Sequence, residues 1–567
     1  MKKKLTVMAT IGLIHLMGVC HQGSHKSRPQ PHTLLAAGPT EASSAPLPNS
    51  PDLPDPPKAV FASPKGPGKA YIGWRMVSEP TGLSYNVYRA TAKKGPYKKI
   101  TSNPISKSTN HIDDKLTDNT TYHYVVTSVD PSGRESGYSS KVSITAGGAE
   151  TRLYKHIKNI TRGETGYDTK YGVVKTGDID GDGLYDYMFI TREVTGDNKF
   201  ASTHMIIYYH DGRRAADIDL GLSIHPAGVP WTFWDLTGDG REELIGIRKD
   251  ETGSSQDYFL YIKNGQTGDT LNKVKVPSYR DILGGKTIAI AYLDGVNPHI
   301  IYQEGTYPVE RNTITAYPAN LDGIAWQVDW PAGKHYGGAH QLEVADIDGD
   351  GKDEVFHGAY CIDNDGSIKW SNPWRHVDGV HAGDIIPENP GLEVFFHLEQ
   401  PPGGVYVTDK NGKVIWEHPG KSLCPNSMHA HHGWIADIRG DYPGMELWVK
   451  FKKGGSEMVC PTLLSSGGEI INNWDIYPPV NWTGGAFHDI GGVRDGRTFR
   501  MIDNLGIGYI YPADVIGDYR EEIIKVHKGA DGALEAWIYT NTRLNDRKKP
   551  SPWEERPYAQ KKRWAGH

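Results

Sequence analysis

Residues 344–356 read VADIDGDGKDEVF, with Asp346, Asp348, Asp350 and Glu354 arranged around Gly349 and Gly351. Carboxylates at alternate positions of a short loop can converge on one hard cation, and glycines let the chain wrap around it. The same letters also make an ordinary charged turn between two strands, so recurrence is what gives the stretch its meaning. It recurs as GDIDGDGLYDYMF, with Asp178, Asp180, Asp182 and Asp186, and as WDLTGDGREELIGI, with Asp235, Thr237, Asp239 and Glu243. Looser copies start at Asp384, Asp437 and Asp514, and a worn one lies around Asp294. Each acidic turn is followed by an apolar strand such as ELIGIR, LEVFFHLE or EEIIKVH. A repeat of about 50 residues with several strands and a recurring turn is the sign of a β-propeller blade. Residues 150–567 are therefore expected to form a β-propeller catalytic domain. Eight blades are favoured, and seven also fit. The expected metal is Ca2+, held by the acidic residues of the three clean copies, because flexible all-oxygen loops suit calcium better than magnesium.

The bulk composition agrees with an all-β chain. Among 567 residues, 66 glycines and 37 prolines point to many short strands joined by turns. A net charge of -6 with no basic run excludes a general nucleic-acid binder. Three lysines before an apolar run from Leu5 to Val19 mark residues 1–20 as a signal peptide or lipoprotein signal, too short for a transmembrane segment. Cys20 is then a candidate lipid anchor, and the protein is expected to be secreted, periplasmic or at the cell surface. Residues 21–57 are rich in proline, serine and alanine and read as a low-complexity linker. Cys361, Cys424 and Cys460 fit no zinc spacing and read as small buried side chains, with one disulfide among them left open.

Residues 58–147 alternate in period two through YIGWRM, LSYNVYRA and TTYHYVVTSVD. The stretch resembles a fibronectin type III domain, a β-sandwich in which Trp74 would pack between sheets and Tyr122 or Tyr124 would tie a corner. No ionisable cluster marks it, so support or spacing is its expected role.

Histidines precede several acidic turns at matching positions. They are His335 and His340 before Asp346, His376 and His381 before Asp384, His429, His431 and His432 before Asp437, and His488 further on. A propeller gathers such positions at one mouth of its channel. His340, His381, His429 and His432 are the candidate catalytic residues. Zinc on the HAHH run with His340 or His381 is an alternative use of the same side chains. Neutral imidazoles beside cations suit β-elimination of an acidic polysaccharide, in which a base removes the proton next to a uronate carboxylate. Arg375, Arg439 and Lys450 could neutralise that carboxylate, and Trp434 could offer a platform for a sugar ring. Hydrolysis would call for two isolated carboxylates across a cleft, whereas most acids here belong to the turns.

The stretches NVYRA, GDIDGDGLYDYMF, VADIDGDGKDEVFHGAYCIDNDGSIKW, HAGDIIPENPGLEVFFHLE, GWIADIRGDYPGMELWV and ADVIGDYREEIIKVHKGADGALEAWIYTNTRLNDR together resemble the rhamnogalacturonan lyase family. The resemblance implies a sandwich joined to an eight-bladed, calcium-rich propeller that cleaves rhamnose–uronic acid linkages of rhamnogalacturonan or a related acidic glycan by elimination. It also implies that the segment before the last blade, which carries Asn504, contributes to the substrate cleft. A lyase acting on rhamnose–glucuronate linkages and a non-catalytic glycan-binding propeller are the alternatives, and a monomer is expected.

Overall fold

The computed structural model describes residues 53–560, apart from 76–81, 161–172, 195–199, 221–229, 253–256, 280–284, 308–309, 333–337, 456, 477, 491–492, 506–509 and 546–558. The signal reading of residues 1–20, Cys20, most of the 21–57 linker and His335 lie outside the described residues.

Strands are the regular elements throughout, as the period-two alternation predicted. Among the described residues from 153 onward, seven four-stranded antiparallel sheets are built. In six of them the four strands are consecutive in the chain, as in Leu342–Ala345, Glu354–His357, Tyr360–Ile362 and Ile368–Ser371. The seventh joins distant parts of the sequence. Ile510–Ala513, Glu522–Lys528 and Leu534–Tyr539 take Leu153–Ile157 as their fourth strand, with Ile157 opposite Ala536. Between the sixth and seventh sheets in chain order lies a two-stranded ladder, Pro479–Val480 with Asp489–Ile490.

The apolar pattern explains how these sheets pack. Inner strands such as KTIAIA (286–291) and EVFFHL (393–398) are buried along their whole length. Both faces of each sheet must therefore be covered by neighbours, and burying each such large apolar side chain contributes roughly 1.5–3 kcal/mol. The cores lie between successive sheets. Met188 and Ile207 meet Trp231 and Phe233, Phe356 meets Val380 and Phe396, and Phe395 and Val407 meet Leu447 and Phe451. Fourth strands such as TLNKVK (270–275) and VIWEHP (414–419) are exposed or alternate, and their charged side chains blunt the sheet edges.

In every one of the seven sheets, the acidic turn joins the first strand to the second. Its most regular feature is the buried carboxylate at its end. The backbone N–H groups of Ile179, Leu236, Ile347, Ile385 and Ile438 donate at 2.9 Å to Asp186, Glu243, Glu354, Glu393 and Glu446. In the Asp514 copy, Glu522 accepts from Val515 at 3.0 Å. The recurring acid thus ties six of the seven turns to their own sheets, whatever those turns bind.

Residues 58–145 form two sheets of three and four strands around Trp74, Tyr85, Val87, Tyr124 and Val126. Trp74 is fully buried there, its ring 5.4 Å from that of Tyr85. Tyr122 Oη accepts from Thr117 N–H at 3.0 Å, whereas Tyr124 Oη donates to Asp113 Oδ2 at 3.0 Å. This pair of sheets shares a core with the rest of residues 51–567, one compact unit. Phe61 and Tyr71 pack with Ile524, Ile538 and Tyr187, and Arg520 Nη2 donates to Tyr71 Oη at 2.7 Å.

Cys424 and Cys460 form a disulfide, and Cys361 is buried and free. Only Cys361 therefore behaves as the small buried side chain expected of all three. Sequence separation gave no sign of the bridge, because it joins a loop to the third strand of the same sheet. Among the described residues no helix is long and apolar enough to cross a membrane.

Candidate active site

A cavity of about 700 Å³ opens at the start of the first strands Val377–Gly383 and Ala430–Ala436. Asp378, at the head of the first of these, is its centre. One carboxylate oxygen, Oδ2, accepts from His429 Nε2 at 2.7 Å and from His431 Nδ1 at 2.6 Å. On a regular strand His431 and His432 would face opposite sides. A register shift between Ala430 and His432 lets both line the cavity, their rings 4.4 Å apart. His397 completes this wall between two glycines. A Cβ at Gly379 would lie 2.0 Å from His397 Nε2, and one at Gly433 would lie 2.7 Å from its Cδ2, so only glycine fits at either place.

The other oxygen of Asp378, Oδ1, faces a second group. His376 Nε2 lies 3.3 Å from it and 3.4 Å from Glu399 Oε2, while His340 Nε2 stands 3.9 Å away. Tyr307 braces this side. Its ring stacks 4.1 Å from His376, and its hydroxyl lies within hydrogen-bonding distance of His340 Nε2, at 3.3 Å. His376 Nδ1 donates to the Thr306 carbonyl at 2.9 Å, so Nε2 is the nitrogen that faces Asp378 and Glu399. His376 Nε2, Asp378 Oδ1 and Glu399 Oε2 are buried and have no hydrogen-bond partner among the described residues. Donor atoms of His340, His376, Asp378 and Glu399 all lie within 4.8 Å of one another. A divalent cation would satisfy all of them, and a backbone carbonyl holding the far nitrogen of a ligating histidine is the usual support for such a site.

Electrostatics sets the protonation states. Burial pushes the Asp378 carboxyl up, but the close approach of His376, His429 and His431 overrides it and holds the group well below the usual carboxylate range. Burial, reinforced by the neighbouring His431 and His397, lowers His432 to about 4. Burial likewise takes His397 to about 4. Both rings are therefore neutral at ordinary pH.

The expected site residues fall into three groups. His340, His432 and Trp434 line the cavity, and His429 is bound to Asp378 at its edge. His381 does not line it; its ring stacks 5.5 Å from His397. The three remaining candidates for binding substrate are also outside the lining. Arg375 and Asn504 are exposed, and Arg439 pairs with Asp441 at 2.7 Å. Arg439 follows the strand whose opposite end carries His431, about 20 Å away at the rise of a β-strand. Asp378, His431, His376, Glu399 and Tyr307 were missing from the candidates. Asp378 is the one acid of HVDGVH that belongs to no acidic turn, and that was the available signal.

The acidic turns lie at the other end of the first strands from these histidines. Asp178, Asp180 and Asp186 converge within 4.8 Å, as do Asp346, Asp348 and Glu354. Burial pushes Asp186 up to about 8, Glu354 to about 7 and Asp178 to about 6. Lys369 Nζ already stands 2.8 Å from Asp348 and 3.4 Å from Glu354. The other expected ligands are turned to the turn backbone. Asp182, Asp239 and Asp350 accept from Leu184, Arg241 and Lys352, and Asp235 accepts from Gly238 and Gly240. With Glu243 accepting from Leu236, the second turn forms no three-acid cluster among the described residues.

Residues 257–484 match the family description "Rhamnogalacturonan lyase family 11, C-terminal domain", and residues 58–144 match "Rhamnogalacturonan I lyases beta-sheet domain". The chain is 28% identical to the rhamnogalacturonan endolyase YesW of Bacillus subtilis, over 81% of each chain. It is also 28% identical to the rhamnogalacturonan exolyase YesX of the same organism, over 71% of each. The solved rhamnogalacturonan lyase of Bacillus licheniformis is similar in fold, with a TM-score of 0.70 at 26% identity, covering 90% of this chain and 94% of that one. The two matched spans take in more than half of the sequence, and the chain belongs to the rhamnogalacturonan lyase family.

Proposed function

We propose that this protein is a polysaccharide lyase that cleaves the rhamnose–uronic acid linkage of rhamnogalacturonan by β-elimination in the cavity around Asp378. The observation that carries the reading is the pair of hydrogen bonds on Asp378 Oδ2. By accepting the hydrogen bond from Nδ1–H of His431, the carboxylate leaves Nε2 of that ring as the basic nitrogen, the logic by which a buried aspartate prepares a histidine base. His431 removes the C5 proton beside the uronate carboxylate, a double bond forms between C4 and C5 as the C4–O bond breaks, and the glycosidic oxygen leaves as a hydroxyl with the proton that His431 returns. His429 holds Asp378 from the other side, and neutral His432 adds no competing positive charge. His340, His376, Asp378 and Glu399 would hold a divalent cation, whose charge stabilises the carboxylate as the enolate develops. Their mixed nitrogen and oxygen donors suit a transition metal ion at least as well as calcium.

We further infer that the seven sheets and the two-stranded ladder are the blades of an eight-bladed propeller. Cores between successive sheets, and a last sheet that borrows Leu153–Ile157, support this reading. The two sheets of residues 58–147 are read as the fibronectin type III-like domain, and the Asp178 and Asp346 turns as calcium sites that brace blades. Export of the chain, consistent with a glycan substrate, belongs to the same reading.

Purified protein incubated with rhamnogalacturonan should give products that absorb in the ultraviolet through their new double bond. His431→Ala should lower kcat by about 10²-fold or more, with an unchanged melting temperature. New reducing ends without that absorbance would make the protein a hydrolase, and binding with no new ends would make it a lectin.

A further inference from the structure

The cavity has a second wall that the proposed elimination does not use. Trp448, Lys450 and Asp475 line it beside Trp434. In the ladder between Ala430–Ala436 and Glu446–Lys452, Lys450 stands directly opposite His432 and Trp448 opposite Trp434. The two indoles stack 5.8 Å apart, 17° from parallel, and brace the strand that carries the lysine. Lys450 Nζ meets Asp475 Oδ2 at 2.6 Å. The lysine side chain is only 18% exposed, whereas that of Asp475 is 62% exposed. A solvated ion pair of this kind contributes little stability, so a carboxylate arriving from solution can displace Asp475 at small cost.

Resting on the lyase reading, we propose that Lys450 recognises the uronate carboxylate of the substrate and that Asp475 is a tethered stand-in for it. In the free enzyme Asp475 keeps the ammonium extended at the cavity wall, across the ladder from His432. When a uronic acid enters, its carboxylate takes the place of Asp475 on Lys450. The lysine thus selects acidic over neutral sugars, and Asp475 sets how readily it lets go.

The test is calorimetric titration of the full-length protein with rhamnogalacturonan oligosaccharides and with the same oligosaccharides after reduction of their carboxyl groups to alcohols. Lys450→Met should bind the acidic ligand at least about tenfold more weakly, the loss of one charge-assisted hydrogen bond, and should bind the reduced ligand as wild type does. Lys450→Arg should recover most of the acidic affinity. Asp475→Asn should act in the opposite direction and tighten acidic binding several-fold. A merely structural ion pair would make the Lys450 and Asp475 variants change together, equally for both ligands, and that result overturns the proposal. So does a wild type that binds both ligands alike. A wild type that prefers the acidic ligand yet makes no unsaturated product defeats the lyase reading, while the opposed signs of the two variants still decide the role of Lys450.

Discussion

Asp378 carries more of the site than any histidine does. It is 6% exposed and meets four imidazoles through two oxygens, and removing its charge takes from His429 and His431 the acceptor that orients them. Asp378→Asn keeps the shape but can offer only one acceptor oxygen. The His431 tautomer is then no longer imposed, and we expect kcat to fall by about 10²–10⁴-fold, with KM changing far less. A steady-state comparison alongside circular dichroism measures both the loss and the survival of the fold. Histidine clustering was legible from the repeated placement of these residues before acidic turns. The identity of the base was not, because a register shift brings both His431 and His432 to the cavity, and sequence alternation alone gives the wrong side for one of them.

At the scale of the element, the acidic turn does two jobs that look the same in sequence. Its last carboxylate is a structural tie to a backbone N–H in every clean copy, while only the Asp178 and Asp346 turns also bring three acids together. Asp186 and Glu354 are raised to about 8 and about 7 by burial, so without a cation the folded chain binds protons that the unfolded chain has released. Folded values above unfolded ones mean stability that is present at low pH and lost as pH rises. Protein stripped of divalent ions should therefore melt at a lower temperature at pH about 8 than at about 5. Added calcium should close that gap, which thermal unfolding with and without chelator measures. A gap that calcium leaves untouched would argue against cation binding at these turns. Lys369 already supplies one positive charge to the Asp346 turn, so the Asp178 turn should account for most of the calcium response.

Across the whole molecule, the first two sheets and the last one hold each other. Arg520 is buried with Asp518 at 2.5 Å and Tyr71 at 2.7 Å, and Asn545 N–H donates to Asn110 Oδ1 at 3.3 Å. Replacing one member of a buried ion pair leaves the other charge without compensation, at a cost of about 3–5 kcal/mol. Arg520→Met should lower the urea midpoint accordingly, and the sandwich and the remaining sheets should still lose their structure in one transition, because Phe61 and Tyr71 share a core with Ile524 and Ile538. Two separate transitions in the wild type would show that this shared core does not couple them. These contacts of residues 58–145 reach the last sheet, and none of those residues lines the cavity.

The sequence by itself determined the β class, the repeating acidic turns with their following strands, and the family. All of these rest on local patterns of two to fourteen residues, or on their recurrence at a steady interval. Only the tertiary structure decided which histidines meet, that Asp378 lies between them, that Cys424 bonds Cys460, and that Leu153–Ile157 completes a sheet begun some 350 residues later. Arg439 and His431 illustrate the difference. They are eight positions apart, yet an extended strand carries them to opposite ends of the same sheet, while His340, His376 and His429 are brought to one place from three different sheets. Convergence of that kind depends on how twisted sheets pack face to face, and no short-range pattern encodes it.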